Sequence, residues 1–577
     1  MFDLPSLWDV VVLIGLVLAI APWFGEYLGK IYLNRPLPGD TILNPVERAI
    51  YRLLGTSPRR TMRTGEYFLS VVLLNGAVAL FLFLWFYFQA SLPLDATGAP
   101  GMSWSLAFHS ATSFTTNTDF THFTNESQLT LGSLVIAWPL ALFTSAATGL
   151  AVAAAMIRGF VQRDGTIGNF YVDMVRTITR LLLPLSLAFA VVLVLLGVPQ
   201  TFVNYVTAHP ITGGTQTIYL GPVASYTAIT LLGTNGGGFY SANAASPFAN
   251  PTAVSNLFEV FVMMLIPFST PFAFGQIVRR RAEAWPYMGT ILIVFAIALG
   301  LFIAYQAASN PALVGVSGIG PQVNGYPVGQ ETRFSLPEAS LFQVVSVYSN
   351  VGANSMQIGA LTPVSQLVLL FGMFTQSTPG GEGTGFGTLL LFAVLGIFVG
   401  GLMVGRTPEY LGKKVGTAQV KWAALALLIH PAAILVPFVV AVVGGQVEIA
   451  SGSIPASAHV FTSVLYEFTS ESANNGSALS AFNTSIGTPA SFNDTTVFFN
   501  VAGGIVMLVG RFVPIWAMLK VGGLFSEQPI LPAGHGTLRT ASATFTLYIT
   551  LFLIIVSVLL FLPVIALGPL GQILGGV

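Results

Sequence analysis

Four short polar turns recur along this chain, each rich in oxygen-bearing side chains or glycine. They are Thr115-Thr116-Asn117-Thr118, Gly233-Thr234-Asn235-Gly236-Gly237-Gly238, Ser349-Asn350-Val351-Gly352-Ala353-Asn354 and Asn474-Asn475-Gly476-Ser477. With Asn117, Asn235, Asn354 and Asn475 taken as equivalent, the steps are 118, 119 and 121 residues, a period regular enough to signal internal repetition. Each turn follows a moderately apolar segment: Trp104–Phe114, Pro222–Leu232, Pro337–Tyr348 and Ala458–Thr469. Helices of about 10 residues cannot cross a bilayer, so these segments must re-enter from one side. Irregular backbone at membrane depth is tolerated only where it is buried in protein or lines a water-filled path. Four such turns around a pseudo-fourfold axis would form a ring of oxygens able to replace the hydration shell of a permeating cation. Glycine admits backbone conformations closed to other residues, and Thr, Ser and Asn add side-chain oxygens. The turns carry no carboxylate ring, with only Asp119 nearby. Dipolar oxygens without fixed charge favour a monovalent ion over calcium. Polar turns without such a duty have no reason to recur at one period behind short apolar segments.

Other chemistries find no support. There is no cysteine, hence no disulfide, thiolate metal site or Cys nucleophile. Neither an Asp-Lys-Thr-Gly phosphorylation motif nor a Gly-x-x-x-x-Gly-Lys-Ser/Thr loop is present. The run Gly380–Gly387 is glycine-rich, but it lies within a spanning segment and not between a strand and a soluble helix, so no nucleotide is expected to bind this chain. His430 precedes Pro431 within a span and reads as a packed or pore-distant histidine. His109, His122, His209, His459 and His535 are dispersed and show no metal-ligand spacing. Arg511 is the one basic residue placed within a span, where insertion costs about 2.5–3.5 kcal/mol. It reads either as a functional group or as a helix-end arginine snorkelling to the surface.

The elements that must position these residues follow from composition. Of 577 residues 54% are hydrophobic and 8% charged, with zero formal net charge, against roughly a quarter charged in soluble domains. That excludes a cytosolic enzyme, a disordered chain and a nucleic-acid binder. Long apolar runs in place of two-residue alternation exclude an outer-membrane barrel. Ten spans are expected, near 7–25, 66–92, 129–157, 173–198, 252–278, 286–307, 361–405, 419–444, 494–520 and 541–566. The seventh is too long for one straight helix and is interrupted by Gly380, Gly381, Gly383, Gly385 and Gly387. The first carries Asp3 and Asp9 near its start and reads as a span, not as a cleaved signal peptide. Of the 22 basic residues, 20 fall at one face, the exceptions being Arg333 and Arg511. The loops around 26–65, 158–172, 279–285, 406–418 and 521–540 are therefore expected in the cytoplasm, with both termini outside. The outward loops hold Asp95, Asp119, Glu126, Glu331, Glu338, Glu448, Glu467 and Glu471, expected either as an acidic vestibule that attracts cations or as ordinary solvated charge.

The expected fold is an all-α polytopic membrane protein in one domain. A first helix and cytoplasmic loop (1–65) precede four units of span, short helix, polar loop and span (66–157, 173–278, 286–405, 419–520), and a final helix follows (541–577).

Beyond this reading, the chain resembles the potassium-binding A subunit of the Kdp potassium-transporting P-type ATPase, a family similar to the Trk/Ktr/HKT potassium transporters. The resemblance runs essentially end to end. It is carried by Gly221-Pro-Val-Ala-Ser225, Leu232-Gly-Thr-Asn-Gly-Gly-Gly-Phe239, Asn250-Pro-Thr252, Gly401-Leu-Met-Val-Gly-Arg-Thr-Pro-Glu-Tyr-Leu-Gly-Lys-Lys414, Asn474-Asn-Gly-Ser-Ala478, Val509-Gly-Arg-Phe512 and Ala566-Leu-Gly-Pro569. Two departures stand out: Asp119 follows Thr118 where Asn is usual, and Met356-Gln357-Ile358 replaces the usual Met-His-Asp, with the local glycine at 352.

The resemblance implies a non-catalytic subunit of a high-affinity, ATP-driven potassium uptake system in a bacterial or archaeal cell (inner) membrane. It would select external potassium in a filter built from Thr115, Thr116, Asn117, Thr118, Gly233, Thr234, Asn235, Gly236, Gly237, Ser349, Asn350, Val351, Gly352, Asn354, Asn474, Asn475, Gly476 and Ser477. The ion would leave sideways through an intramembrane tunnel to a catalytic B subunit, with a C subunit and a small F subunit completing the assembly. The Trk relatives imply a barrier made of Arg511 and the loop holding Gly380, Gly381, Gly383 and Gly385. Arg406–Lys414 reads as a structural or partner-docking element. Two other classes are weighed. An autonomous Trk-like channel or symporter would share the filter. A membrane-embedded enzyme would need clustered acid–base or metal groups within the spans.

Overall fold

The computed structural model describes residues 4–94, 98–308, 310, 322–323, 326–446, 458–479, 494–530 and 538–575. Ten helices in it are long and apolar enough to cross a membrane: Pro5–Tyr32, Thr64–Ser91, Ser133–Gly159, Phe170–Leu195, Ala253–Ile277, Arg281–Gln306, Thr384–Met403, Thr417–Val443, Val497–Ser526 and Ala543–Leu567. They are spans one to ten here. Span seven begins at Thr384 because the expected 361–405 segment is two helices, Pro363–Thr375 and Thr384–Met403. Gln376, Gly380 and Gly383 between them take left-handed backbone (φ 50°, 72° and 67°), which no helix can continue.

Four half-helices lie between spans two and three, four and five, six and seven, and eight and nine: Trp104–Thr115, Val223–Leu232, Leu336–Tyr348 and Ala458–Ala473. Each connects an even-numbered span to the next odd one, so all four enter from the same side of the bundle. Two of the starts are capped by sequence-local devices. Ser103 Oγ accepts from Leu106 N at the first, and Ser335 with Glu338 forms a capping box at the third.

The middle of the bundle is span three, whose Ala141, Ala146, Ala147, Ala151, Ala154 and Ala155 are all buried. Small side chains let helices approach closely inside a membrane, where there is no hydrophobic drive to pull them together. At Gly159 the approach is closest, since a Cβ there would collide with the backbone of Gly522 in span nine. Span one packs against span five in the same way, Gly25 lying on Ser269 and Phe272 and Gly29 on Gln276.

The expected cytoplasmic loop 26–65 is not wholly loop. It contains an amphipathic helix, Asp40–Leu53, whose Glu47 and Tyr51 are buried. Arg180 of span four clamps this helix by donating to Asp40, Asn44 and Glu47, and it holds the Asp40 carboxyl below the ordinary carboxylate range.

Lys413 and Lys414 part company. A hairpin pairs Glu409–Tyr410 with Lys413–Lys414 and turns Lys413 inward to full burial, while Lys414 stays exposed. The Lys413 ammonium donates to the carbonyls of Gly159 (3.2 Å), Phe525 (2.6 Å) and Gln162. It thereby caps the C-terminal ends of spans three and nine, where helix dipoles favour a cation. Lys413 is thus a structural pin with no side chain free for a partner, which corrects the docking reading for this residue. Burial, then the nearby Arg163, lowers its pKa from 10.5 to about 8, so it remains charged at pH 7.

Removing it leaves three buried acceptors without a donor, at about 1–3 kcal/mol for each group left unsatisfied. Lys413→Met is therefore expected to lower the apparent unfolding temperature of the purified protein at pH 7, whereas Lys414→Met leaves it within about a degree. The folded pKa lies below the unfolded one, so between about pH 8 and 10.5 the unfolded state holds more protons and this group makes stability rise with pH. The gap between wild type and Lys413→Met should widen from pH 8 to 10. A gap that narrows, or no gap at all, would show that Lys413 does not carry this load.

Candidate ion-binding site

Each half-helix ends in the same capping pattern. The residue after the last turn adopts left-handed backbone: Asn117 (φ 64°), Thr234 (41°), Asn350 (53°) and Asn474 (53°). The next N–H then reaches back five residues, Thr118 to Ser113 (3.0 Å), Asn235 to Thr230 (2.9 Å), Val351 to Ser346 (2.7 Å) and Asn475 to Ser470 (2.9 Å). This is a Schellman closure, and asparagine, which tolerates left-handed backbone better than most residues, fills three of the four positions. The closure sets the true register of the repeat. The equivalent residues are Asn117, Thr234, Asn350 and Asn474, at steps of 117, 116 and 124 residues, and the expected set Asn117, Asn235, Asn354 and Asn475 is corrected. Asn354 lies four residues beyond the closure. It is half-buried, accepting from Gln343 Nε2 through its side chain (3.2 Å) and from Ala245 N through its carbonyl (3.0 Å).

A second left-handed residue follows in each turn: Asp119 (50°), Gly237 (71°), Gly352 (71°) and Gly476 (90°). This accounts for the glycine at 352, which sits two residues past Asn350 as Gly476 sits two past Asn474. In the first turn the same place is held by Asp119, which is buried with no hydrogen-bond partner on either carboxylate oxygen.

The turns meet. A Cβ on Gly236 would press on the carbonyls of Thr118 and Asn475 and on Gly476 Cα, one on Gly476 would press on Thr118 O and Gly236 Cα, and one on Gly352 would strike Asn475. Backbone from all four turns thus converges in one place. Most side-chain groups of the turns are occupied in holding it there. Asn117 Nδ2 donates to Thr234 O (2.7 Å), Asn474 Nδ2 to Thr118 Oγ1 (3.0 Å), Asn350 Nδ2 to Ala473 O (3.0 Å) and Asn475 Nδ2 to Val347 O (3.1 Å). Asn235 turns away from the convergence, its Oδ1 accepting from Ser145 Oγ of span three (3.0 Å). Thr116 Oγ1 and Thr118 Oγ1 bond each other (2.8 Å), and Ser477 Oγ donates to Asn475 Oδ1. Thr115, Gly233, Ser349 and Val351 are buried in the same turns, with the hydroxyls of Thr115 and Ser349 unpartnered.

Directly against the turns lies the loop 376–383. Gly380 N donates to Tyr348 O at the end of the third half-helix (2.8 Å), and Glu382 N donates to Thr234 Oγ1 (2.8 Å). A Cβ on Gly381 would contact Asn350, and one on Gly385 would collide with Gly380. A cavity of about 20 Å³, room for about one water, is bounded by Asn117, Asn350 and Asn474 of the turns, by Gln376 and Gly381 of the loop, and by Arg511. Arg511 is 6% exposed. It donates to Ser145 O in the middle of span three (2.9 Å) and to Thr384 Oγ1 (3.4 Å), so it does not snorkel.

Glu382, Gln376 and Ser145 are neighbours of this region that sequence reasoning left out. Glu382 is buried with neither carboxylate oxygen hydrogen-bonded. The only local signal for it was a lone acid inside a glycine-rich, membrane-depth segment.

His430 is buried as expected, but it is not remote. Its Nε2 donates to Met373 O (3.1 Å), and its Nδ1 faces Ser472 Oγ (2.8 Å) and the cavity-lining Gln376 (3.1 Å). The acidic outward loops are also corrected. Asp119, Glu338, Glu467 and Glu471 are buried, Glu126 accepts from Ser241, and Glu331 pairs with Arg333 at 2.7 Å. Asp95 and Glu448 lie outside the described residues. Apart from the unpartnered Asp119, the described acids are parts of the scaffold, because capping and side-chain networks claim them. The expectation of dispersed histidines fails for two of them, His109 and His122, whose rings stack 3.9 Å apart. His535 lies outside the described residues.

Residues 11–574 match the family described as "Potassium-transporting ATPase A subunit". Proteins named potassium-transporting ATPase potassium-binding subunit are 40% identical in Alicyclobacillus acidocaldarius, over 97% of each chain, and 38% identical in Nostoc sp., over 96% of each. Among solved structures, the potassium transporter TrkH from Vibrio parahaemolyticus superposes with a TM-score of 0.50 at 17% identity, covering 89% of this chain and 97% of that one. At that identity the likeness bears on the fold alone.

Proposed function

Since the chain belongs to the family of potassium-transporting ATPase A subunits, we propose that it is the potassium-selecting, non-catalytic subunit of an ATP-driven uptake complex in a bacterial or archaeal cell membrane. The observation that carries this reading is the convergence of four identically capped turns. Their side-chain amides brace neighbouring backbone, which leaves main-chain carbonyls such as those of Thr118 and Asn475 as the groups to strip and replace an ion's water. A potassium ion would be held by the turns at Thr115–Thr118, Gly233–Gly237, Ser349–Gly352 and Asn474–Ser477. Arg511 and the loop with Gly380, Gly381, Gly383 and Gly385 would stand between that site and the cytoplasm. The ion would then pass sideways to a catalytic B subunit, with C and F subunits in the same complex.

The test is purification under native conditions from cells grown at low potassium. The chain should bring with it a P-type ATPase whose hydrolysis potassium stimulates, and the separated chain should hydrolyse no ATP. Potassium uptake into vesicles by the purified chain alone would overturn this reading in favour of an autonomous Trk-like transporter. Orientation is checked separately. Ile211 and Ser57 are both exposed, and the basic bias puts them on opposite sides. Ile211→Cys should react with an impermeant maleimide in intact spheroplasts and Ser57→Cys only after lysis. The reverse pattern would invert the assignment.

A further inference from the structure

We propose that His109, His122 and Glu471, with Glu467 beside His122, form a buried site for one divalent first-row transition-metal ion, of the zinc or manganese class, which ties the first half-helix to the fourth. His109 lies on the first half-helix and His122 just past the first turn. Glu467 and Glu471 share one face of the fourth half-helix, four residues apart. All four side chains are essentially sealed from solvent, the most exposed at 1%. His109 Nε2 is 3.2 Å from Glu471 Oε1, and His122 Nε2 is 2.7 Å from Glu467 Oε1. The ligand atoms of His109, His122 and Glu471 lie within 4.8 Å of one another, and a shared ion with bonds of about 2.0–2.2 Å, which span at most about 4.4 Å, is reached by drawing them together by a few tenths of an ångström.

Three observations favour an ion over a plain hydrogen-bond network. The first is incomplete satisfaction: Glu471 Oε2 and His109 Nδ1 have no hydrogen-bond partner. The second is the tautomer of His122. Asn500 Nδ2 donates to Ser105 Oγ (3.2 Å), so Asn500 Oδ1 faces His122 Nδ1 at 2.7 Å and accepts its proton. This outer hydrogen bond is the kind that orients a metal-bound histidine, and it leaves the Nε2 lone pair directed at a carboxylate oxygen, two acceptors that a proton or a metal ion must bridge. The third is charge. Two buried carboxylates could be neutralised by two imidazolium ions, but those would be stacked face to face at 3.9 Å and 19°, like charges in contact. One divalent ion neutralises both carboxylates and keeps both imidazoles neutral. Gly503 of span nine lets the Glu471 carboxylate pack directly against its backbone, where a Cβ would collide with it. The donor set, two imidazoles and a carboxylate with a second carboxylate adjacent, suits zinc, manganese, iron(II) or cobalt and not an alkali ion. The main chain of Glu471 accepts from Asn474 N (3.1 Å), so the tie sits one hydrogen bond from the fourth turn. The site does not depend on the turns being a potassium filter.

The full chain should be purified through a non-histidine tag, stripped with chelator, and reloaded separately with Zn²⁺, Mn²⁺ and Co²⁺. About one equivalent of at least one of these ions is expected to survive gel filtration, and Co²⁺ should show ligand-field absorption of a nitrogen–oxygen site. His109→Gln/Glu471→Gln should lose at least about tenfold in retained metal, while His209→Gln, at an exposed position, keeps it. Wild-type chain that elutes as a folded species yet retains less than about 0.1 equivalent of all three ions overturns the proposal, whatever the variants do. So does full retention by the double variant. If the double variant fails to fold, His122→Gln carries the same comparison.

Discussion

Serine at Gly236 or Gly476 is expected to collapse discrimination between potassium and both rubidium and sodium by at least about tenfold, the equivalent of about 1.4 kcal/mol. The two positions test different physics. Gly236 has no room: its Cβ would meet the carbonyls of Thr118 and Asn475 and Gly476 Cα, all of them backbone of other turns, so no flexible side chain can step aside. Gly476 has no room either, and its φ of 90° is a conformation that non-glycine residues adopt at a cost of about 1–2 kcal/mol. Gly476→Ser should therefore be the more damaging of the two. Gly300→Ser, in span six with open space around it, is the control and should behave as wild type. The readout is potassium- against rubidium- and sodium-stimulated ATP hydrolysis by the intact complex, with tracer uptake in cells. Wild-type affinity and selectivity in both turn variants would remove the turns from ion selection.

Arg511→Gln is expected to produce passive potassium flux or to uncouple transport from hydrolysis. On the proposed path, an ion stepping inward from the turns would enter the small cavity bounded by Asn117, Asn350 and Asn474, and Arg511 bounds the same cavity. At about 6 Å and an effective dielectric near 20, a guanidinium opposes a potassium ion by roughly 3 kcal/mol. That is on the order of a hundredfold in occupancy, which matters to a pump that must not leak. The arginine is fixed in place by Ser145 O and Thr384 Oγ1, so it cannot swing clear without breaking buried hydrogen bonds. Glu382, on the adjacent loop, supplies a sign test. If its carboxylate tempers the positive field, Glu382→Gln should leave the barrier as high or higher and raise no leak. The measurement is ⁸⁶Rb⁺ efflux from proteoliposomes holding the assembled complex without ATP. Normal assembly of Arg511→Gln with tight coupling and no passive flux would sink the barrier.

The parts of this architecture legible in the residues were those governed by local rules. Apolar length and positive charge marked ten spans, because a helix must satisfy its own backbone for the full thickness of a bilayer. The half-helices stood out because segments of this length fall short of that thickness, and the break in span seven because glycine and proline end a helix where they sit. Even the four turns were found, since each follows its own half-helix by a few residues. The register among the turns was not legible. Asn235 and Asn475 looked like partners of Asn117, yet the left-handed cap falls on Thr234 and Asn474, because a hydrogen bond back to Thr230 or Ser470 sets the position and composition does not.

What tertiary structure alone decided are the contacts between residues hundreds of positions apart. Lys413 read as surface charge until the hairpin pushed it under the ends of spans three and nine. Glu382 drew no reading from the sequence, and only the fold lays its loop against Thr234, 148 residues away. His109 and His122 showed no ligand spacing in the chain, because their carboxylates lie 362 and 345 residues further on. A linear pattern records what a residue's immediate neighbours demand of it. A buried charge is instead specified by whichever distant element closes over it, and in this chain the first half-helix is brought against the fourth.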